Sequence, residues 1–162
     1  MEEQLKAIIE KTQMAELLTR YFAAVDDKRI DANVVRETFT SDARIIPPGG
    51  TEMTGRESIL DSHTKSFARF RATHHVITNF IIDIKGNRAS LRSNIIANHM
   101  WADNEEFPSP KNKYFLADGV FSAKTAKAGN QWHISELKNN VVWPTRDGMN
   151  ETLAFSERSK DK

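Results

Sequence analysis

Residues 74–101 read HHVITNFIIDIKGNRASLRSNIIANHMW, and this stretch decides the fold. From 74 to 84 the chain keeps the period of a strand, and its apolar residues are mostly β-branched or aromatic. Lys85–Gly86–Asn87 supplies a hairpin turn, and residues 88–101 form a second strand. Strands this long build a sheet that twists and curls, so one face becomes concave.

Outward toward the C-terminus the strand pattern repeats. The segment 102–111 is polar, contains Pro108 and Pro110, and is expected to be a loop. Residues 113–124 form a third strand and 131–142 a fourth, with a turn at 126–130. The four strands make an antiparallel meander. After Pro144 the signal fades, and the end, SERSKDK, is expected to be frayed or disordered.

Outward toward the N-terminus the period becomes helical. Leu5, Ile8, Ile9, Leu17, Leu18, Tyr21, Phe22 and Val25 recur at helical spacing over residues 3–27. Asp31 is placed to cap a short helix whose buried side holds Val34, Val35 and Phe39. Thr40–Ser41–Asp42 is expected to break that helix, and 43–46 to form a short strand ended by Pro47–Pro48–Gly49–Gly50. Thr54–Gly55 leads into another helix, with Ile59, Leu60, Phe67 and Phe70 on its apolar face. Helices first and strands last indicate the α+β class: a cone-shaped α+β barrel, with a strongly curved antiparallel sheet packed against N-terminal helices. The space between the layers is a natural ligand pocket. One domain is expected over residues 1–148, followed by a tail at 149–162.

Composition narrows the function. The chain has 162 residues, 39% apolar and 28% charged, as in an ordinary soluble domain. A formal net charge of +1, with basic residues scattered, gives no reason to expect nucleic acid or an anionic membrane as partner. There is no cysteine, which excludes disulfides, thiolate metal sites and a cysteine nucleophile. The start, MEEQLKAIIEK, lacks the basic opening and apolar run of a signal peptide, and no stretch approaches the roughly 18 apolar residues of a membrane span. A cytoplasmic location is therefore expected. Neither GxGxxG, GxxxxGK[ST], GxSxG nor HExxH occurs, so no cofactor and no metal site is expected, although His63, His74, His75 and His99 were candidates for one.

The chemistry-bearing candidates lie where helix and strand meet the pocket. Asp26 closes the first helix four residues after Phe22, which turns it inward or to the pocket rim, while Asp27 turns to solvent. A carboxylate at a helix C-terminus opposes the macrodipole. His75 shares one strand face with Ile77, Asn79 and Ile81, and His74 shares the other with Val76, Thr78, Phe80 and Ile82; parity alone does not say which faces the pocket. An isolated histidine is commonly structural, but one beside a carboxylate is a usable general base. His99 lies with Ile95, Ala97 and Trp101, near His75 or else at the loop edge. Asp118 is either a pocket group or a residue beside a bulge at Gly119. Glu136, Lys138 and Asn140 form a solvated face.

Four segments resemble the SnoaL-like branch of the nuclear transport factor 2-like superfamily, and are most similar to scytalone dehydratase and hexachlorocyclohexane dehydrochlorinase. They are LLTRYFAAVDDKRID at 17–31 with Phe39 and Asp42–Ala43 following, Gly55–Arg56–Glu57, THHVITN at 73–79, and QWHISELKNNVVW at 131–143. The resemblance implies a catalytic dyad of Asp26 and His75, with His99 as a second histidine, in a homodimer or trimer acting on a small molecule. It implies a small lyase or isomerase in which His75 takes a proton from carbon, Asp26 orients it, and His99 or Asn79 holds a developing oxyanion. Tyr21, Asn79, Trp101 and Asp118 are the expected substrate-binding residues. The chain also departs from those relatives: Val25 and Pro47 stand where scytalone dehydratase has tyrosines, its pocket asparagine falls near Asp118 or Gly119, and Leu137 stands where dehydrochlorinase has an arginine. Substrate-polarising groups are thus missing, which leaves open a second reading, a non-catalytic ligand-binding or assembly module of the same fold.

Overall fold

A computed structural model describes residues 1–104 and 113–144. Of the expected loop at 102–111, residues 105–111 lie outside the described residues, as does the tail at 149–162.

Helix α1 runs over Glu2–Asp26. Met14, Leu18, Tyr21, Phe22 and Val25 form its buried stripe at helical spacing. Leu5, Ile8 and Ile9 continue the pattern but are exposed. Helix α2, Ala32–Thr38, starts where expected: Asp31 Oδ1 accepts from the Asn33 and Val34 N–H groups, both at 2.8 Å.

The chain then enters β1 directly, over Phe39–Ile46. Thr40–Ser41–Asp42, expected to be a break, is therefore strand. The residues on either side pair in parallel with the last strand, Phe39 opposite Ile134 and Arg44 opposite Glu136, and Thr40–Ser41–Asp42 spans the register shift between them. A two-residue strand β2, Met53–Thr54, pairs antiparallel with β1. Helix α3 follows over Arg56–Ala68. Arg56 locks it down by donating from Nε and a terminal N–H to the Phe39 carbonyl, at 2.9 and 2.6 Å.

Four long strands complete the chain: β3 Phe70–Lys85, β4 Arg88–Trp101, β5 Tyr114–Ala128 and β6 Gln131–Pro144. Both hairpin turns are two residues long, Gly86–Asn87 and Gly129–Asn130, because Lys85 pairs with Arg88 and Ala128 with Gln131. The sheet order is β2-β1-β6-β5-β4-β3. The expected meander is present, but the six-stranded sheet is mixed, through the parallel β1–β6 junction, and it is curved and unclosed. Its concave face packs on the helices around Tyr21, Phe39, Met14, Leu18, Ile59 and Ile134, all under 2% exposed.

One register shift changes which side chains face inward. β3 carries a bulge between Thr78 and Ile81, with Asn79 at φ 56°. His75 and Ile77 point inward before it. Phe80, Ile82 and Ile84 are the half-buried residues after it, while Asn79 and Ile81 are exposed. The single face expected for His75, Ile77, Asn79 and Ile81 is thus broken after Ile77.

Candidate active site

The end of α1 meets the start of β3. Phe22 stacks on Phe121 with centroids 5.1 Å apart and leans on the His75 ring at 4.9 Å, which fixes the last turn of the helix against the strand. One turn later comes Asp26. Its Oδ1 accepts from His75 Nδ1–H at 2.6 Å and from the Thr73 hydroxyl at 2.8 Å, and its Oδ2 accepts from the His75 backbone N–H at 2.8 Å. Three donors thus converge on one carboxylate.

Burial pushes the Asp26 carboxyl up, but the hydrogen bonds from the His75 ring and backbone, the ring charge and Thr73 outweigh it. The group is held below its ordinary value. An ionised carboxylate only accepts, so the His75 proton sits on Nδ1 and the lone pair sits on Nε2. The His75 side chain is 3% exposed and that of Asp26 18%. Asp27 is exposed and paired with Arg29 at 2.7 Å.

His99 comes from the neighbouring strand, where Ala97 pairs with His75 and His99 with Thr73. Its Nδ1–H donates to the Phe115 carbonyl at 3.2 Å. Burial, and then the charge of His75, lower its pKa to about 4, so the ring is neutral at pH 7. With the proton on Nδ1, its Nε2 is an acceptor. That suits a substrate hydroxyl rather than the oxyanion expected from the sequence.

A third imidazole, His63, lies half-buried on α3. Its Nδ1 is hydrogen-bonded to the Tyr21 hydroxyl. Burial, and then His75, lower His63 to about 4 as well. Burial pushes the Tyr21 phenol well above its usual value.

These rings border a cavity of about 480 Å³ between α3 and the concave sheet face, large enough for a small cyclic molecule. Phe22, Phe67, Phe70, Ile95, Phe115 and Phe121 supply much of its apolar wall. His63, His75, His99, Ser66, Arg69 and Asn139 supply polar groups. Asn139 Oδ1 is buried with no hydrogen-bond partner among the described residues. The Arg69 guanidinium lies over the Phe70 and Trp101 rings, at 5.4 and 5.6 Å. Among the described residues, no group of three His, Asp or Glu side chains is placed to hold a metal ion.

The structure brings Asp26, His75 and His99 together. It places the four expected substrate-binding residues off the cavity wall. Tyr21 is fully buried behind it, in edge contacts with Phe22 and Phe39. Trp101 packs on Phe70 at 4.6 Å. Asn79 is exposed because the bulge turns it outward. Asp118 is the bulge residue: its Oδ1 accepts from the Ala97 N–H at 3.1 Å, beside the register shift at Gly119.

His63 and Asn139 were not read from the sequence as pocket groups, yet a signal existed for both. His63 is four residues from both Ile59 and Phe67, which puts it on the apolar stripe of α3. Asn139 alternates with Leu137 and Val141, opposite the solvated Lys138 and Asn140.

The SnoaL-like domain profile matches residues 6–138. The Kfla4162 protein of Kribbella flavida is similar in structure, with a TM-score of 0.79 and 21% identity over 90% of this chain and 99% of that one. A scytalone dehydratase-like protein of Novosphingobium aromaticivorans has a TM-score of 0.74 and 18% identity, over 86% of this chain and 88% of that one. The hexachlorocyclohexane dehydrochlorinase LinA-type3 of Novosphingobium barchaimii has a TM-score of 0.75 and 15% identity, over 88% and 92%. At these identities the likeness establishes the fold. No curated protein matches the sequence. Among the described residues, no helix is long and apolar enough to cross a membrane.

Proposed function

The chain belongs to the SnoaL-like domain family, and from that footing we propose that it is a small cofactor-independent lyase or isomerase using His75 as a general base on carbon. The observation that carries this reading is the 2.6 Å bond to an ionised Asp26 from Nδ1–H of His75, a residue that lines a cavity with a largely aromatic wall. A pair within hydrogen-bond reach counts against the non-catalytic module. Solved structures named for the loss of water and of hydrogen chloride share the fold, which supports elimination as the reaction class.

In this mechanism Asp26 holds the imidazole by its Nδ1 edge and offsets the charge it gains. His75 Nε2 takes a proton from a carbon next to a carbonyl or a leaving group. The C–H electron pair becomes a double bond, and either the leaving group departs or the proton returns at another carbon. His99 Nε2 accepts from a substrate hydroxyl. The apolar wall favours a small apolar or cyclic substrate and keeps water from competing for the base.

The domain runs over residues 1–148, and its partner is a small molecule. A cytoplasmic homo-oligomer completes the proposal. The support for an oligomer is the exposed apolar residues Val76, Ile96, Tyr114 and Trp143. The test is deuterium uptake at carbon, followed by NMR in heavy water across a panel of cyclic ketones. Wild type exchanges at least one of them, and His75→Ala loses exchange. Exchange unchanged in His75→Ala rejects the role.

A further inference from the structure

One pair takes no part in this proton abstraction: fully buried Tyr21 on α1 and half-buried His63 on α3. Tyr21 is fully buried, and among the described residues its hydroxyl has one partner, Nδ1 of His63. A phenol hydroxyl carries one hydrogen and must place it somewhere when buried. Nδ1 is the acceptor available, so the hydroxyl donates and Nδ1 accepts. A neutral imidazole has a single N–H, so in His63 that hydrogen sits on Nε2.

The polarity of His63 is therefore opposite to that of its neighbours. His75 and His99 each use an Nδ1–H on a protein acceptor, Asp26 and the Phe115 carbonyl, and keep a lone pair at Nε2. His63 lines the same cavity, and its Nε2 has no protein partner among the described residues. Phe67 separates the rings, edge-on to His63 at 5.6 Å and to His75 at 6.0 Å. The sheet thus presents acceptors and α3 presents a donor.

Building on the general-base reading of His75, we infer that His63 Nε2–H is the donor to the substrate oxygen on which negative charge develops, with Tyr21 as the residue that fixes its tautomer. The substrate is then a carbonyl compound lying between α3 and the sheet, its oxygen toward His63 and its acidic carbon toward His75. In the step, the C–H bond breaks, its proton passes to His75 Nε2, and its electron pair forms the carbon–carbon double bond of an enolate. The carbonyl π pair moves to oxygen, where the His63 N–H holds it. A neutral donor of this kind supplies an oxyanion site without an added positive charge beside His75.

Two measurements test this. The first is 15N NMR of the imidazoles in the full chain at pH 7, which tells a protonated ring nitrogen from a bare one. His63 is expected to carry its proton on Nε2, and His75 and His99 on Nδ1. In Tyr21→Phe the His63 Nδ1 signal shifts and the ring becomes a mixture of tautomers, while His99 is unchanged. A wild-type His63 protonated on Nδ1, or on both nitrogens, overturns the inference even where Tyr21→Phe does not fold. The second is the ketone exchange assay. His63→Leu lowers kcat by about 100-fold or more, the cost of removing one oxyanion donor. His63→Gln, which keeps an N–H, stays within about tenfold of wild type. Loss of exchange in His75→Ala but not in His63→Leu rejects the role of His63 alone. No exchange of any ketone by wild type rejects that role together with the reading it rests on.

Discussion

The His75 and His99 imidazoles meet edge to face, with centroids 5.4 Å apart and planes at 85°. Only one of them faces a carboxylate. His99 instead spends its Nδ1–H on the Phe115 carbonyl, and burial, then His75, lowers its pKa to about 4. Adjacent strands thus present two similar rings in different settings, one held by a carboxylate and one by a backbone carbonyl.

The first prediction concerns Asp26→Asn. The carboxylate accepts three hydrogen bonds from Thr73 and His75, and an amide presents a donor to at least one of those donors. A buried mismatch of this kind costs about 1–3 kcal/mol. The His75 proton is no longer held on Nδ1, so Nε2 is no longer reliably the base. Exchange activity is expected to fall by about 100-fold to 10,000-fold, with the variant still folded by circular dichroism. Full activity in Asp26→Asn would remove the case for a dyad.

The second prediction is acid sensitivity above the carboxylate range. His63 and His99 sit at about 4 in the folded chain, against about 6.5 for an ordinary histidine. The unfolded chain therefore binds more protons between those values, and stability rises with pH across that window. It is fully present above pH about 6.5 and is lost as pH falls toward about 4, on the order of 3 kcal/mol for each ring. Asp26, held low, adds a further loss as pH drops through its folded value. Urea midpoints measured from pH 7.5 to 4.5 should fall steadily below about 6.5, with a shallower slope in His99→Phe. A flat midpoint over that range contradicts the buried neutral rings.

Much of this site was legible because it rests on local periods. Asp26 inherits its direction from Phe22 one turn earlier, and Asp31 announces α2 by its capping chemistry. His75 fell in the strand read from residue 74, but its facing was left open by parity and its role came from the family resemblance. What was not legible depends on partners distant in sequence. Nothing within Thr40–Ser41–Asp42 reveals that β6, nearly a hundred residues later, will take the residues flanking it, Phe39 and Arg44, as parallel partners. Nor does strict alternation foresee the bulge at Asn79, so the faces beyond Ile77 came out reversed. Tyr21 shows a third kind of limit: its register gave burial correctly, but its action through His63 needs a contact between α1 and α3.

The third prediction follows from that bulge. Asn79 holds φ 56° in an exposed position, a conformation asparagine tolerates and glycine adopts freely. Asn79→Gly should stay within about 1 kcal/mol of wild type, as relief of strain offsets lost chain stiffness. Asn79→Val, β-branched in the same conformation, should cost about 1–2 kcal/mol. Both should keep the exchange rate per folded molecule, because the side chain lies off the cavity wall. A selective drop in kcat for Asn79→Gly would return this residue to the site.

The last prediction links a close approach in the sheet to the cavity. A Cβ on Gly119 would lie 2.3 Å from the Asn140 carbonyl oxygen and 2.9 Å from the Val141 Cα. Both neighbours are backbone, so no flexible side chain can move aside. Gly119→Ala must push β5 and β6 apart, at a cost of about 3 kcal/mol or more. The strain reaches the site, because Asp118 next door ties down the Ala97 N–H, and Ala97 and Val141 both border the cavity. Gly86→Ala is the control: nothing lies within 4 Å of its Cβ, and only its φ of 61° opposes the change. That variant should lose about 1 kcal/mol and keep its exchange activity, whereas Gly119→Ala should lose both stability and activity. Equal urea midpoints for the two variants would show that the approach of β5 to β6 at Gly119 has slack that the structure does not display.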